Sequence, residues 1–183
     1  QELHLFEEWV DAYRMRIAVA REVLPNARLA LYGMIVPHAW GDPDMESHQR
    51  IMSGYWAAED LGLYDEADAL ITIIYQRFGP DDSKFDRLDE MTTMAWQESS
   101  ALRRTDGSAI PVIPMASFLV FNGGSPYHET VIEAENMLVQ LDVLRNLGVY
   151  EILFWNGDDD IPNYDQTIVD RFRALLDVAN TDS

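Results

Sequence analysis

The chain has 183 residues, 48% of them hydrophobic and 25% charged, enough for a folded domain with a sizeable core and too apolar for global disorder. Its net charge of -19 excludes a general affinity for nucleic acid or anionic lipid and favours neutral or cationic ligands. The absence of cysteine excludes disulfides, zinc–thiolate sites, iron–sulfur clusters and a thiol nucleophile. His4, His38, His48 and His128 form no HExxH pair, so neither a metal nor a cofactor is expected. No apolar run reaches the length of a membrane span, no signal peptide is visible at the start, and residue 1 is Gln.

In chain order, Phe6, Trp9, Val10, Tyr13, Ile17, Ala20 and Leu24 recur at spacings of three and four, which predicts a helix over about 3 to 24. Pro25 and Asn26 stop it, and the apolar run 29–36, closed by Pro37, reads as a strand buried on both faces. Asp42, Pro43 and Asp44 open a second helix that Gly62 ends. The β-branched run 69–75 follows as the second strand. A third helix is expected over about 83 to 104, with Phe85, Leu88, Met91, Ala95 and Leu102 inward and a break at Gly107. The third strand lies within 110–121, its early part restricted by Pro111 and Pro114. After the loop 122–126, a fourth helix spans about 129 to 146, with Met137, Leu138, Leu141 and Leu144 inward, and Gly148 ends it. The run 150–155 is the fourth strand, and a last helix covers about 164 to 179.

Alternating helices and strands imply an α/β fold with a parallel sheet of about four βα units in one domain, 1–183. Such a sheet is either open and doubly wound or part of a closed barrel. No GxGxxG and no GxxxxGK[ST] is present, which speaks against the nucleotide-binding open sheet. A complete (βα)8 barrel needs roughly 250 residues, so four units fit the length as the C-terminal half of a TIM barrel. Four strands leave two open edges, so the half is expected to self-associate or to pair with an N-terminal half; the missing start Met is in keeping with the latter.

Phe6-Glu7-Glu8 with the helix after it, Arg21, Pro25, Leu31-Tyr32-Gly33 and Val36-Pro37 resemble the second half of the hyaluronidase-type glycosidases. So do the strand from Ala69 to Tyr75 and the final run Ile152-Leu153-Phe154-Trp155-Asn156-Gly157. The chitinase-like glycosidases share a similar late layout. The resemblance implies hydrolysis of N-acetylhexosamine polymers by a substrate-assisted route, in which the sugar's acetamide oxygen attacks. It also implies that the acidic catalytic motif lies upstream of residue 1, so the isolated chain is expected to be inactive. The chain departs from the vertebrate hyaluronidases in having no cysteine in this half.

Barrel chemistry sits at the C-terminal ends of strands, and that rule selects the candidates. Tyr75 is the candidate catalytic residue, able to hydrogen-bond an acetamide or stabilise developing positive charge; otherwise it is a packed strand-end ring. Trp155 is the candidate floor of a sugar subsite, with barrel-top packing as the structural alternative. Asn156, Asn122 and Gln76 are candidate ligands for sugar hydroxyls. Asp42 is a further substrate-binding candidate that helix capping explains equally well, and Asp158 opens a run of three acids that a solvated turn also explains. The partner implied is a carbohydrate, either N-acetylhexosamine-containing or neutral, since a polyanion would need a basic groove. Two other readings fit the same sequence: a non-catalytic sugar-binding or scaffold domain, and a self-contained small α/β domain with an unrelated small-molecule site.

Overall fold

The computed structural model describes residues 2–35, 45–76, 78–79, 85–120, 130–155, 170 and 173. In chain order the elements are α1 (Glu2–Val23), β1 (Ala30–Ile35), α2 (Met45–Asp60), β2 (Ala69–Ile73), a 3-10 turn (Phe85–Arg87) running into α3 (Leu88–Ala101), β3 (Val112–Ala116), α4 (Ala134–Asn146) and β4 (Leu153–Phe154). The four strands form one sheet in the order β1-β2-β3-β4. The β1–β2 and β3–β4 pairs are parallel. Between β2 and β3, Leu70 N–H donates to the Pro111 carbonyl at 2.8 Å and Ile74 N–H to the Met115 carbonyl at 2.9 Å.

That order decides between the two windings. Right-handed crossovers between consecutive parallel neighbours put successive helices on the same side of a sheet. A doubly wound sheet must reverse its strand order partway. The order here runs straight through, as in a (βα)8 barrel, and the fold is α/β with four parallel strands.

The chain divides into two compact units, one made of Gln1–Ile73 with Met94–Pro114 and the other of Ile74–Thr93 with Met115–Ser183. The core of the first unit gathers Val10 and Ile17 from α1, Leu31 from β1, Ala58 from α2, Leu70 from β2, and Leu63, Tyr64, Leu102 and Ile110 from the connections. Burying a side chain such as Leu70 contributes about 2 kcal/mol. The apolar face of α1 is narrower than its periodicity suggests, since Leu24 ends up 55% exposed. In the second unit Val120, Ile132 and Met137 form the buried cluster, with Phe118 stacked on Phe154 at 4.7 Å beside it.

Two elements are shorter than their apolar runs. The helix expected from about 83 begins as a 3-10 turn at Phe85 and becomes α-helical only at Leu88, and the strand expected over 150–155 is reduced to Leu153–Phe154. Pro114 offers a reason for the second. It stands one residue before the first β3–β4 pair, Met115↔Leu153, and has no N–H with which to extend that ladder backwards. Gly62 and Gly148 end α2 and α4 as anticipated, each in the left-handed region with φ of +71° and +76°. After α4, Gly148 N–H donates to Arg145 O and Val149 N–H to Leu144 O, both at 3.0 Å, which closes the helix end.

Hydrogen bonds between elements of the first unit pin the N-terminal ends of its strands. Asp68, just before β2, accepts from Leu29 N–H at 2.7 Å and from the Arg21 guanidinium at 2.8 Å. Arg21 also donates to the Ala27 and Glu66 carbonyls. The Leu29 amide first, and then the Arg21 guanidinium, hold the Asp68 carboxyl below the usual carboxylate range. Arg104 bonds the Ala67 carbonyl, and Asp65 accepts from both the amide and the hydroxyl of Thr105. These bonds hold the N-terminal ends of the strands of the first unit.

Candidate functional site

The second unit contains Ile74 and Tyr75, which follow β2, the C-terminal end of β3 and the whole of β4. β3 and β4 pair as Met115↔Leu153 and Ala116↔Phe154, so the next level sets Ser117 beside Trp155. The Ile74 N–H to Met115 O bond fixes the β2 register, and the same step sets Tyr75 beside Ser117. Tyr75, Ser117 and Trp155 thus share one level, and side chains at one level of a parallel sheet point the same way. Phe154, one residue earlier, packs on the other face with Phe118.

Ser117 is the smallest of the three and stands in the middle. Its short side chain lets the two outer aromatics meet. The Tyr75 and Trp155 rings stack with centroids 5.9 Å apart and planes within 7° of parallel. Tyr75 is only 3% exposed, whereas Trp155 keeps 40% of its surface open. The Trp155 backbone is fixed by its N–H donating to Ala116 O at 3.0 Å. Ser117 is itself buried, and its Oγ accepts from Leu119 N–H at 3.1 Å. The product is an indole held at a fixed angle, backed by a buried phenol ring and partly open to solvent.

Gln76 follows Tyr75 and is also buried. Its Nε2 donates to the Phe78 carbonyl at 3.1 Å, while its Oε1 meets no hydrogen-bond donor among the described residues. Alternation along an extended chain turns Gln76 away from the side Tyr75 takes. Beneath the site, Gln140 of α4 donates through Nε2 to the Ile74 carbonyl at 2.7 Å, tying the helix to the end of β2. Of the sequence-selected residues, the structure brings Tyr75 and Trp155 together. Asp42, Asn122, Asn156 and Asp158 lie outside the described residues. Sequence reasoning missed Ser117, whose only local signal is a small residue beside Ala116 at the end of an apolar strand.

Among the described residues, one carboxyl stands apart electrostatically. Glu98 on α3 is half-buried, and burial pushes it up from 4.5 to about 7. It lies within a helix, not at a strand end. Burial also raises the Tyr64 phenol, with the neighbouring Tyr55 and Glu59 adding to it. Its hydroxyl donates to the Tyr55 carbonyl at 3.2 Å, a core contact.

No protein-family model matches the chain, and no curated protein matches it. Among solved structures it is similar to bee venom hyaluronidase in its monoclinic crystal form, at 12% identity over 90% of this chain and a TM-score of 0.48. It is similar also to bee venom hyaluronidase in complex with a hyaluronic acid tetramer, at 14% identity over 97% of this chain and a TM-score of 0.46. The chain spans 61% of the length of either structure.

Proposed function

We propose that this chain is half of a (βα)8 carbohydrate-active hydrolase and supplies its sugar platform, with Trp155 as the floor and the buried Tyr75 ring as its backing. The observation that carries this reading is the near-parallel Tyr75–Trp155 stack at the strand ends. A pyranose presents a flat C–H surface, and an exposed indole face matches it in shape and polarity. The buried Tyr75 ring behind the indole fixes its angle, so little side-chain freedom is lost when a sugar settles on it. Asn156, Asn122, Asp42 and Asp158 are the proposed hydroxyl ligands, whereas Gln76 is buried and turned away from the Tyr75 side. With a net charge of -19, a neutral N-acetylhexosamine glycan is favoured over a polyanion. The proton donor for glycosidic cleavage comes from outside these residues, so the chain by itself binds sugar and does not cleave it.

The test is titration of the purified chain with a neutral N-acetylglucosamine oligomer, followed by tryptophan fluorescence and by calorimetry, beside a Trp155→Ala variant whose folding is checked by circular dichroism. Covering roughly 80 Å² of indole at about 25 cal/mol/Å² is worth about 2 kcal/mol, so the variant should bind roughly thirtyfold more weakly. Equal affinity in the two proteins would remove Trp155 from the site. Steady turnover of a chromogenic N-acetylhexosaminide by the wild-type chain would overturn the division of labour.

A further inference from the structure

The first unit carries a cleft of about 360 Å³ lined from α1, β1 and α2. Five aromatic rings line it: Phe6, Trp9 and Tyr13 from α1, Tyr32 from β1 and Tyr55 from α2. The α1 rings recur at spacings of three and four, which sets them in a row on one helix face. The Phe6 and Trp9 centroids lie 5.8 Å apart, and those of Trp9 and Tyr13 4.6 Å apart. Solvent reaches the rings, since Trp9 is 40% exposed and Tyr32 53% exposed. On the α2 side the lining includes Gly54, where an added Cβ would meet nothing within 4 Å. A concavity of this size, apolar and lined with rings, is the usual form of a small-molecule site.

We infer that this cleft binds a small quaternary ammonium group, carried by a molecule with no anionic group of its own. Charge decides the class. The described residues that line the cleft include no charged side chain. The helix stretches that supply most of its rings, residues 4–13 and 51–60, contain Glu7, Glu8, Asp11, Glu59 and Asp60 and no Lys or Arg. The negative potential of these helices and the negative faces of the rings both attract a cation. The chain makes such a contact itself. Of the two arginines that follow on α1, Arg14 pairs with Asp11 at 3.9 Å, and Arg16 lies over the Tyr13 ring, 5.5 Å from its centroid. A primary ammonium brought among the rings would bury N–H donors with no carboxylate in the lining to receive them, which is costly. A trimethylammonium group has no N–H and presents methyl groups to the rings. A phosphate or carboxylate on the same molecule would meet like charge. All the lining residues belong to the first unit, so the inference is independent of the Tyr75–Trp155 platform, which belongs to the second.

Calorimetric titration of the whole chain with choline, beside dimethylbutanol as its uncharged carbon isostere, tests the class. Choline should bind roughly tenfold more tightly than the isostere, and its affinity should fall as salt is raised. Equal affinity for the two would overturn the cation site, and absence of choline binding would overturn the site altogether. Two variants test the placement. Gly54→Leu fills the cleft from the interior of α2, and should abolish choline binding with no fall in Tm, because glycine is a poor residue inside a helix. Trp9→Leu keeps an apolar side chain and removes a ring face, and should weaken choline roughly tenfold while weakening the isostere much less. Choline binding to both folded variants as to wild type would overturn the placement. Tighter binding of phosphocholine, or of phosphatidylcholine vesicles, would overturn the exclusion of anionic carriers. An N-acetylglucosamine oligomer that binds and is lost in Gly54→Leu, with no choline binding, would assign the cleft to a sugar instead.

Discussion

Replacing Glu98 with glutamine should stabilise the protein at alkaline pH and leave its stability unchanged in acid. Burial raises the Glu98 carboxyl from 4.5 to about 7. That shift corresponds to roughly 3 kcal/mol against the ionised form. The residue is only partly buried, and solvent screening brings the effect down to about 1–2 kcal/mol. The sign follows from proton binding. Between pH 4.5 and about 7 the folded chain holds a proton that the unfolded chain has released, so stability falls as pH rises through that window. Below 4.5 the carboxyl is neutral in both states and glutamine reproduces it; above 7 the native protein bears the full cost and the variant bears none. Urea unfolding at pH 4 and at pH 8 measures both, with a slope against denaturant that should not change. A variant no more stable than wild type at pH 8, or stabilised equally at both pH values, would refute the attribution to burial of charge.

Three other substitutions probe the hydrogen bonds and turns that hold each unit. Gln140→Met keeps the volume but removes the donor to the Ile74 carbonyl, so denaturant unfolding should show a loss of about 1–3 kcal/mol from an unsatisfied buried carbonyl. Gly62→Ala places a Cβ 2.8 Å from Asp65 Oδ2 at a φ of +71°, and should lower stability by about 1–2 kcal/mol, read as a drop in Tm. Asp68→Asn should flatten the acid limb of the stability curve. The lowered folded value means that Asp68 stabilises the fold above the ordinary carboxylate value and ceases to do so as pH falls through its own, and an amide has no such titration. Unchanged acid unfolding in that variant would show that the Arg21–Asp68–Leu29 contact is not what fails at low pH.

The helices and strands were legible because their signals are local. Spacings of three and four marked α1 and α4, β-branched runs marked β2, and Gly62 and Gly148 marked helix ends where only a left-handed residue fits. What sequence alone overextended were the margins. Apolar character at 150–152 suggested more strand than forms, since pairing depends on a partner's backbone and Pro114 cannot provide its share. The choice between open sheet and barrel winding was not local either, and needed the strand order.

The site divides along the same line. Tyr75 and Trp155 could be chosen one at a time, as aromatics at strand ends, each with a packing role as plausible as a binding one. Trp155 packs and stays partly open at once, because Tyr75 covers one side of it while 40% of its surface remains accessible. Ser117 is what permits this, and nothing in its neighbours along the chain shows it, since its role lies in standing between two strands that are distant in sequence. A bulky residue at 117 would preserve every local signal that identified β3 and would still force the two rings apart. The pair is therefore a property of three aligned strand ends, and substitution at Ser117 is the change by which a related chain could keep this fold and lose this ring stack.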